Sequence, residues 1–142
     1  MAKRILVPLS DRTESPAMPF VRAIAHDSGA TVRLLRVMPV PERVVVPYGR
    51  TISYVDQEMA SQEARAKSEM ALAEHELDGV PVETVVRFGN EVDEILVEAE
   101  AFHADLIAMG THDRSRIKSA VAPGAGERVL RASDVPVLLV RE

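Results

Sequence analysis

The chain has 142 residues, a length that predicts one domain spanning 1–142. With 17 Lys plus Arg against 22 Asp plus Glu, its net charge of −5 argues against binding to nucleic acid or an anionic membrane, because phosphate contacts dominate such binding. The absence of cysteine excludes disulfides, thiolate nucleophiles and cysteine-based zinc sites, and it is typical of a cytoplasmic protein. No apolar run approaches the ~20 residues of a membrane helix.

The first half of the chain alternates strand and helix patterns. Arg4 to Pro8 predicts a buried first strand, Ser15 to Ser28 has apolar residues at helical spacing, and Thr31 to Met38 predicts a second strand. Pro39 to Val55 is irregular and is interpreted as a loop that covers either a pocket or a partner surface. Asp56 to Leu77 contains neither Gly nor Pro and predicts the strongest helix, with Asp56 as its cap.

The second half of the chain continues this alternation. Its predicted elements are a third strand over Val82 to Phe88, a helix from the cap Asn90 to Phe102, a fourth strand over Leu106 to Met109 that stops at Gly110, a helix over Gly124 to Ala132 and a fifth strand over Val137 to Val140. The acidic run Glu98 to Glu100 is interpreted as a solvated helix face. Strict β-α alternation predicts an α/β fold, an open parallel sheet with helices on both faces.

Five strings of the sequence, in this order, resemble the universal stress protein family over nearly the whole chain. They are Ile5–Pro8, Val86–Asn90, Ala104–His112, Glu127–Leu130 and Val135–Val140. The resemblance implies a Rossmann-like fold, of the adenine nucleotide alpha hydrolase-like kind, with five strands in the order 3-2-1-4-5. It also implies a cytoplasmic stress-response protein that acts by binding and forms a homodimer.

Family members that bind ATP carry the motif G-x2-G-x9-G-[ST] after the fourth strand. Here Gly110 matches the first glycine, whereas Asp113, Pro123 and Gly124 occupy the other three positions. Asp113 places a negative charge beside the expected phosphates, which costs on the order of 1 kcal/mol at ~4 Å even when well screened. Pro123 lacks the N–H that a phosphate cradle uses. Relative to the family, ATP binding is therefore expected to be weakened or lost.

Alignment with the family places the candidate nucleotide site at strand ends, in the loop after the fourth strand and at the start of the last helix. These positions are Pro8, Ser10, Asp11, Val37, Met109, Gly110, Thr111, His112, Arg114, Ser115, Gly124, Ala125 and Gly126. Ser10 stands where the family has an acidic residue, and Asp11 beside it either orients a nucleotide or caps the next helix. Likewise, the basic loop from Arg114 to Lys118 either contacts phosphate or is simply solvated.

No cofactor follows with certainty from these residues. Gly124 and Gly126 leave the N–H groups of a helix start available, and the basic loop lies just before them. A shifted site for a monophosphate, a sulfate or an adenine nucleotide such as ATP or AMP therefore stays open, beside the alternative of an emptied pocket.

Enzymatic turnover is the second hypothesis, and the sequence argues against it. It contains no P-loop motif, no paired carboxylates beside the loop and no nucleophile–base pair, although slow ATP hydrolysis stays open because some relatives show it. A receiver-like phosphorylation switch would need an aspartate and a lysine where this chain has Gly89 and Arg141. No metal site is predicted, because no His, Asp or Glu residues have ligand spacing.

The last strand is the candidate dimer interface. Val137, Leu138, Leu139 and Val140 form an apolar edge that a monomer would have to protect, and the family resemblance implies pairing through this strand. A two-fold arrangement is also the commonest form of oligomer. The sequence identifies no other protein partner.

Overall fold

A computed structural model of the protein describes residues 2–10, 15–41, 51–111 and 124–141. Within these ranges the chain forms five strands, which are β1 (Arg4–Leu9), β2 (Thr31–Met38), β3 (Val82–Phe88), β4 (Leu106–Thr111) and β5 (Val137–Arg141). Four helices lie in the same ranges, namely α1 (Met18–Ser28), α2 (Thr51–His75), α3 (Glu91–Phe102) and α4 (Ala125–Ala132). None of these helices is both long and apolar enough to cross a membrane.

The strands form one parallel sheet in the order β3-β2-β1-β4-β5, which confirms the predicted fold and strand order. Side chains of β1 alternate between its two faces, as they must in a strand. Ile5 and Val7 pack beneath α1 and α2, whereas Leu6 packs beneath α3 and α4. All three are fully buried, because helices cover both faces of the sheet.

Several element boundaries differ from the sequence predictions. β4 continues through Gly110 to Thr111, so the predicted stop at Gly110 is wrong; both residues pair with the end of β5. α1 begins at Met18 instead of Ser15, with Pro19 in its first turn and Pro16 in the turn before it.

α2 begins before the predicted cap Asp56, so residues 51–55 of the predicted loop are helical and residues 42–50 lie outside the described ranges. The helix ends at His75, although Leu77 just beyond it is still buried. The predicted cap of α3 is confirmed, since the Asn90 side chain accepts a hydrogen bond from the Asp93 N–H at 3.1 Å.

The predicted solvated face of α3 is wrong for Glu98, which is only 3% exposed. Its carboxylate accepts hydrogen bonds from Arg33 at 2.5 Å and Arg87 at 3.0 Å. Arg33 also binds Glu83, and Arg87 also binds Glu94, each at 2.8 Å. We call these five residues the charged cluster; it fastens α3 to β2 and β3.

The guanidinium groups of the charged cluster are held firmly in their charged form. Burial opposes the charge of Arg33, but hydrogen bonds to Glu83 and Glu98 outweigh it, so its pKa is raised. The hydrogen bond to Glu94 raises the pKa of Arg87 against a smaller effect of burial, and Glu98 adds to the increase. Arg33 also lies over the ring of Phe102, 4.2 Å from its centroid, a cation–π arrangement.

Candidate functional site

The two central strands separate toward their carboxyl ends. β1 pairs with β2 over six residue pairs, up to Leu9 and Arg36, but it pairs with β4 over only two, the last being Leu6 with Ile107. Pro8 has no N–H, so β1 cannot continue a full ladder to both neighbours. A crevice therefore opens between β1 and β4, where the strand order reverses and doubly wound sheets bind their ligands.

The turn before α1, together with the start of that helix, forms one wall of this crevice, and several of its backbone positions have no N–H free for a ligand. The Ala17 N–H donates to Ser15 Oγ at 3.2 Å, and the Met18 N–H donates to the Ser15 carbonyl at 3.1 Å. Pro16 and Pro19 have no N–H to donate. This wall consequently has few donors left for an anion.

The opposite wall is the first turn of α4, and it is built differently. Gly124 is the N-cap, in extended backbone with φ −70° and ψ 170°, and as a glycine it has no side chain with which to cap the helix. Among the described residues, a Cβ placed on Gly124 would meet nothing within 4 Å. On Gly126, in contrast, a Cβ would lie 2.9 Å from Leu139 Cδ2, because α4 packs closely on β5.

Gly110 lies between the two walls. A Cβ on Gly110 would lie 2.5 Å from Cδ and 2.7 Å from Cγ of Pro16, and 3.3 Å from Ser15 Oγ. On the other side, the Gly110 carbonyl oxygen lies 3.8 Å from the position of a Cβ on Gly126. The turn before α1 and the first turn of α4 thus both approach the backbone of this one residue.

The structure gathers part of the predicted nucleotide site at the crevice. Ser10 is half-buried after β1, Gly110 and Thr111 end β4, and Gly124, Ala125 and Gly126 begin α4. Three further predicted residues are packed against the core: Pro8 is buried in β1, and Val37 and Met109 pack beneath α3 and α4. The remaining predictions, Asp11, His112, Arg114 and Ser115, fall outside the described residues.

Sequence reasoning missed Ser15 and Pro16 as parts of the crevice. The helical pattern over Ser15 to Ser28 places Pro16 in the first turn of a predicted helix, where proline is common. The signal that was available is the pair Ser15-Pro16, since a serine followed by proline favours a turn before a helix.

The candidate dimer residues form the outer strand of the sheet. Val137, Leu138, Leu139 and Val140 are each partly buried, and β5 pairs with β4 along one edge. Within the described part of the chain, no strand pairs with its other edge. In the same ranges, no three His, Asp or Glu residues are placed to hold a metal ion.

The parallel sheet, with its strand order reversed between β1 and β4, defines a doubly wound α/β protein. In proteins of this class, ligands bind where the strand order reverses. A family model described as the universal stress protein family matches residues 1–141, and the chain belongs to that family. The predicted family resemblance is thereby confirmed.

Individual relatives agree with this assignment. Universal stress protein MJ0577 of Methanocaldococcus jannaschii is 27% identical, with 99% of this chain and 96% of that protein covered, and its solved structure superposes with a TM-score of 0.77. Stress response protein NhaX of Bacillus subtilis is 30% identical over 57% of this chain and 47% of that protein. The universal stress protein of Archaeoglobus fulgidus in complex with dAMP has a TM-score of 0.60 at 22% identity, with 97% of each chain covered.

Proposed function

We propose that this chain is a cytoplasmic stress-response protein of one domain that acts by binding, as a homodimer, and that it binds ATP more weakly than family members with an intact motif. The observation that carries the ATP part is the loss of the motif after β4. Of the motif positions, Asp113 brings a like charge toward a triphosphate and Pro123 removes a donor. Action by binding is supported by the lack of a nucleophile–base pair in the sequence.

The homodimer part rests on β5. An apolar edge strand with one unpaired side is a surface that soluble proteins protect, and pairing two copies of β5 would extend the sheet across a two-fold axis. Leu138 packs against the core beneath α1 and α2, and Leu139 against the core beneath α3 and α4. Pairing of two β5 strands would therefore cover the apolar edge on both faces of the sheet.

A second candidate function is the binding of an adenine nucleoside monophosphate, such as AMP, with its phosphate in a position shifted from that of the family motif. The α4 wall favours it, since Gly124 itself supplies no side-chain cap and, among the described residues, no atom lies within 4 Å of the position of a Cβ on it. A protein of the same fold, from Archaeoglobus fulgidus, was solved in complex with dAMP. One phosphate group needs fewer donors than three, so the losses at Asp113 and Pro123 cost it less.

Two measurements test the proposal. Light scattering after size exclusion at micromolar concentration should give twice the mass of the 15.5 kDa chain, and a strict monomer would contradict the dimer. Mass spectrometry of small molecules released from protein purified without added nucleotide should find no stoichiometric ATP. Stoichiometric AMP would favour the second candidate, whereas rapid ATP turnover by the purified chain would refute action by binding alone.

A further inference from the structure

Gly110 is the point at which three elements meet. It ends β4 beside the crevice, it contacts the turn before α1 through Pro16, and its carbonyl oxygen lies next to the first turn of α4. Within the described residues, both walls of the crevice therefore approach the backbone of one glycine closely. The distance between the two walls therefore depends on whether residue 110 has a side chain.

A Cβ added at Gly110, beside Pro16, would be harder to accommodate than one added at Gly126, beside Leu139. Cδ and Cγ of Pro16 belong to a closed ring that cannot rotate away from an added Cβ. At Gly126, the atom in the way is the tip of the flexible Leu139 side chain, which can change rotamer. A side chain at position 110 would therefore have to displace the turn before α1 as a unit.

The turn that carries Pro16 is itself held in place. Ser15 accepts the N–H groups of Ala17 through Oγ and of Met18 through its carbonyl, which closes the turn onto the start of α1. Ala17 and Met18 are buried in the core beneath α1 and α2, at 0% and 1% exposure. A shift of Pro16 would consequently move α1 and not merely a loose loop.

We infer that Pro16 is a positioning residue of the crevice, and that position 110 requires glycine because the Pro16 ring lies on it, not because a ligand does. The ring sets the distance between α1 and β4 and hence the width of the crevice. For its ligand, this inference rests on the function proposed above. It gives Gly110 a packing role, although the family motif places that glycine in the nucleotide loop.

A double-substitution cycle tests the inference, because Pro16→Ala removes the very atoms that a Cβ at position 110 would meet. The four proteins are the parent chain, Gly110→Ala, Pro16→Ala and the double variant. Each is measured for its melting temperature and for its affinity for AMP and ATP by calorimetric titration. Gly110→Ala should lower the melting temperature by about 5 °C and the nucleotide affinity about tenfold.

The double variant decides the outcome. It should melt within about 2 °C of Pro16→Ala alone and bind nucleotide within about threefold of it, because the clash is gone. Additive losses in the double variant would overturn the packing role of Gly110. If Pro16→Ala and the parent bind nucleotide equally, Pro16 does not position the crevice, and that part of the inference is refuted.

Two matched controls make the cycle specific. Gly124→Ala is the same substitution at the start of α4, with no described atom within 4 Å of the new Cβ. It should lower the melting temperature less than Gly110→Ala, because its cost is limited to a poorer N-cap. Pro19→Ala removes the nearby proline in the first turn of α1 and should not rescue Gly110→Ala. If the parent binds neither AMP nor ATP, the proposed ligands are wrong, yet the thermal cycle still decides whether Pro16 holds position 110.

Discussion

The charged cluster and the crevice are two regions of one sheet that are held together by opposite means. At the charged cluster, long charged side chains from β2, β3 and α3 meet around Glu98. At the crevice, the contacts are made by glycine and proline, and the space beside Gly110 is too small for a Cβ. The first region uses charge to fasten elements, and the second uses the absence of side chains to bring them close.

The comparison shows that a charged residue or a glycine in such a chain can have a packing role even where its sequence pattern suggests another one. The buried carboxylate of Glu98 accepts a hydrogen bond from a guanidinium group of its own fold on each of its two oxygens, so its charge is paired within the fold. The glycine that best matches a ligand motif is in close contact with a proline of its own fold. In both places, a feature that suggested either solvent or ligand is used for internal packing.

The largest expected effect is at the charged cluster. Glu98→Gln should lower the free energy of unfolding by about 2–3 kcal/mol, because two partly buried guanidinium groups lose the charge they share. Urea denaturation measures this directly. Glu100→Gln makes the same change at an exposed site of the same helix and should cost less than about 0.5 kcal/mol; equal costs would mean that the cluster fastens nothing.

A smaller loss of stability is expected at the turn before α1, which hydrogen bonds of Ser15 hold closed. Ser15→Ala removes the Oγ that accepts the Ala17 N–H, and it should cost about 1 kcal/mol of unfolding free energy. Ser68→Ala, at an exposed position of α2, is the matched control and should cost nothing. If the two variants unfold at the same urea concentration, the serine does not hold the turn before α1.

His103 offers a gain in stability, away from both regions. It ends α3 with φ 57°, a left-handed conformation that favours glycine. His103→Gly should raise the unfolding free energy by about 0.5–1 kcal/mol, and His103→Ala should not. Thermal melts of the two variants would contradict this if alanine stabilised as much as glycine.

The smallest expected effect concerns pH and the charged cluster. An arginine whose pKa is raised by folding contributes stability at pH values below its unfolded pKa and loses that stability only as the pH rises through its folded pKa. For Arg33 and Arg87, whose pKa is raised, this loss falls far above the neutral range. The cost of Glu98→Gln should therefore agree to within about 0.5 kcal/mol between pH 6 and pH 9. A cost that falls sharply over this range would show that the guanidinium charges are not held.

Much of the fold could be predicted because it is encoded locally. β2 and β3 match their predicted bounds, since runs of β-branched residues favour strands, and Asn90 caps α3 as its residue type suggests. The boundaries that were wrong depend on partners. β4 passes Gly110 because β5 supplies a pairing edge, which the four apolar residues before Gly110 do not reveal.

The site was predicted less completely, for a related reason. From the sequence, Glu98 is one of several acidic residues on a helix. Only the three-dimensional structure shows that Arg33 and Arg87 donate hydrogen bonds to it. Gly110 was recognised as important from its motif, yet its neighbour Pro16 lies far away in the sequence. Contacts between elements distant in the chain decide these roles, and a single sequence does not contain them.

The central claim is that Asp113 and Pro123 weaken ATP binding on an otherwise ordinary family fold. Calorimetric titration of the purified protein and of the variant Asp113→Gly/Pro123→Gly with ATP tests this most directly, with the oligomeric state of both checked beforehand. We predict that the variant binds ATP at least about tenfold more tightly than the parent. A parent chain that binds ATP as tightly as the variant, or more tightly, would contradict the claim.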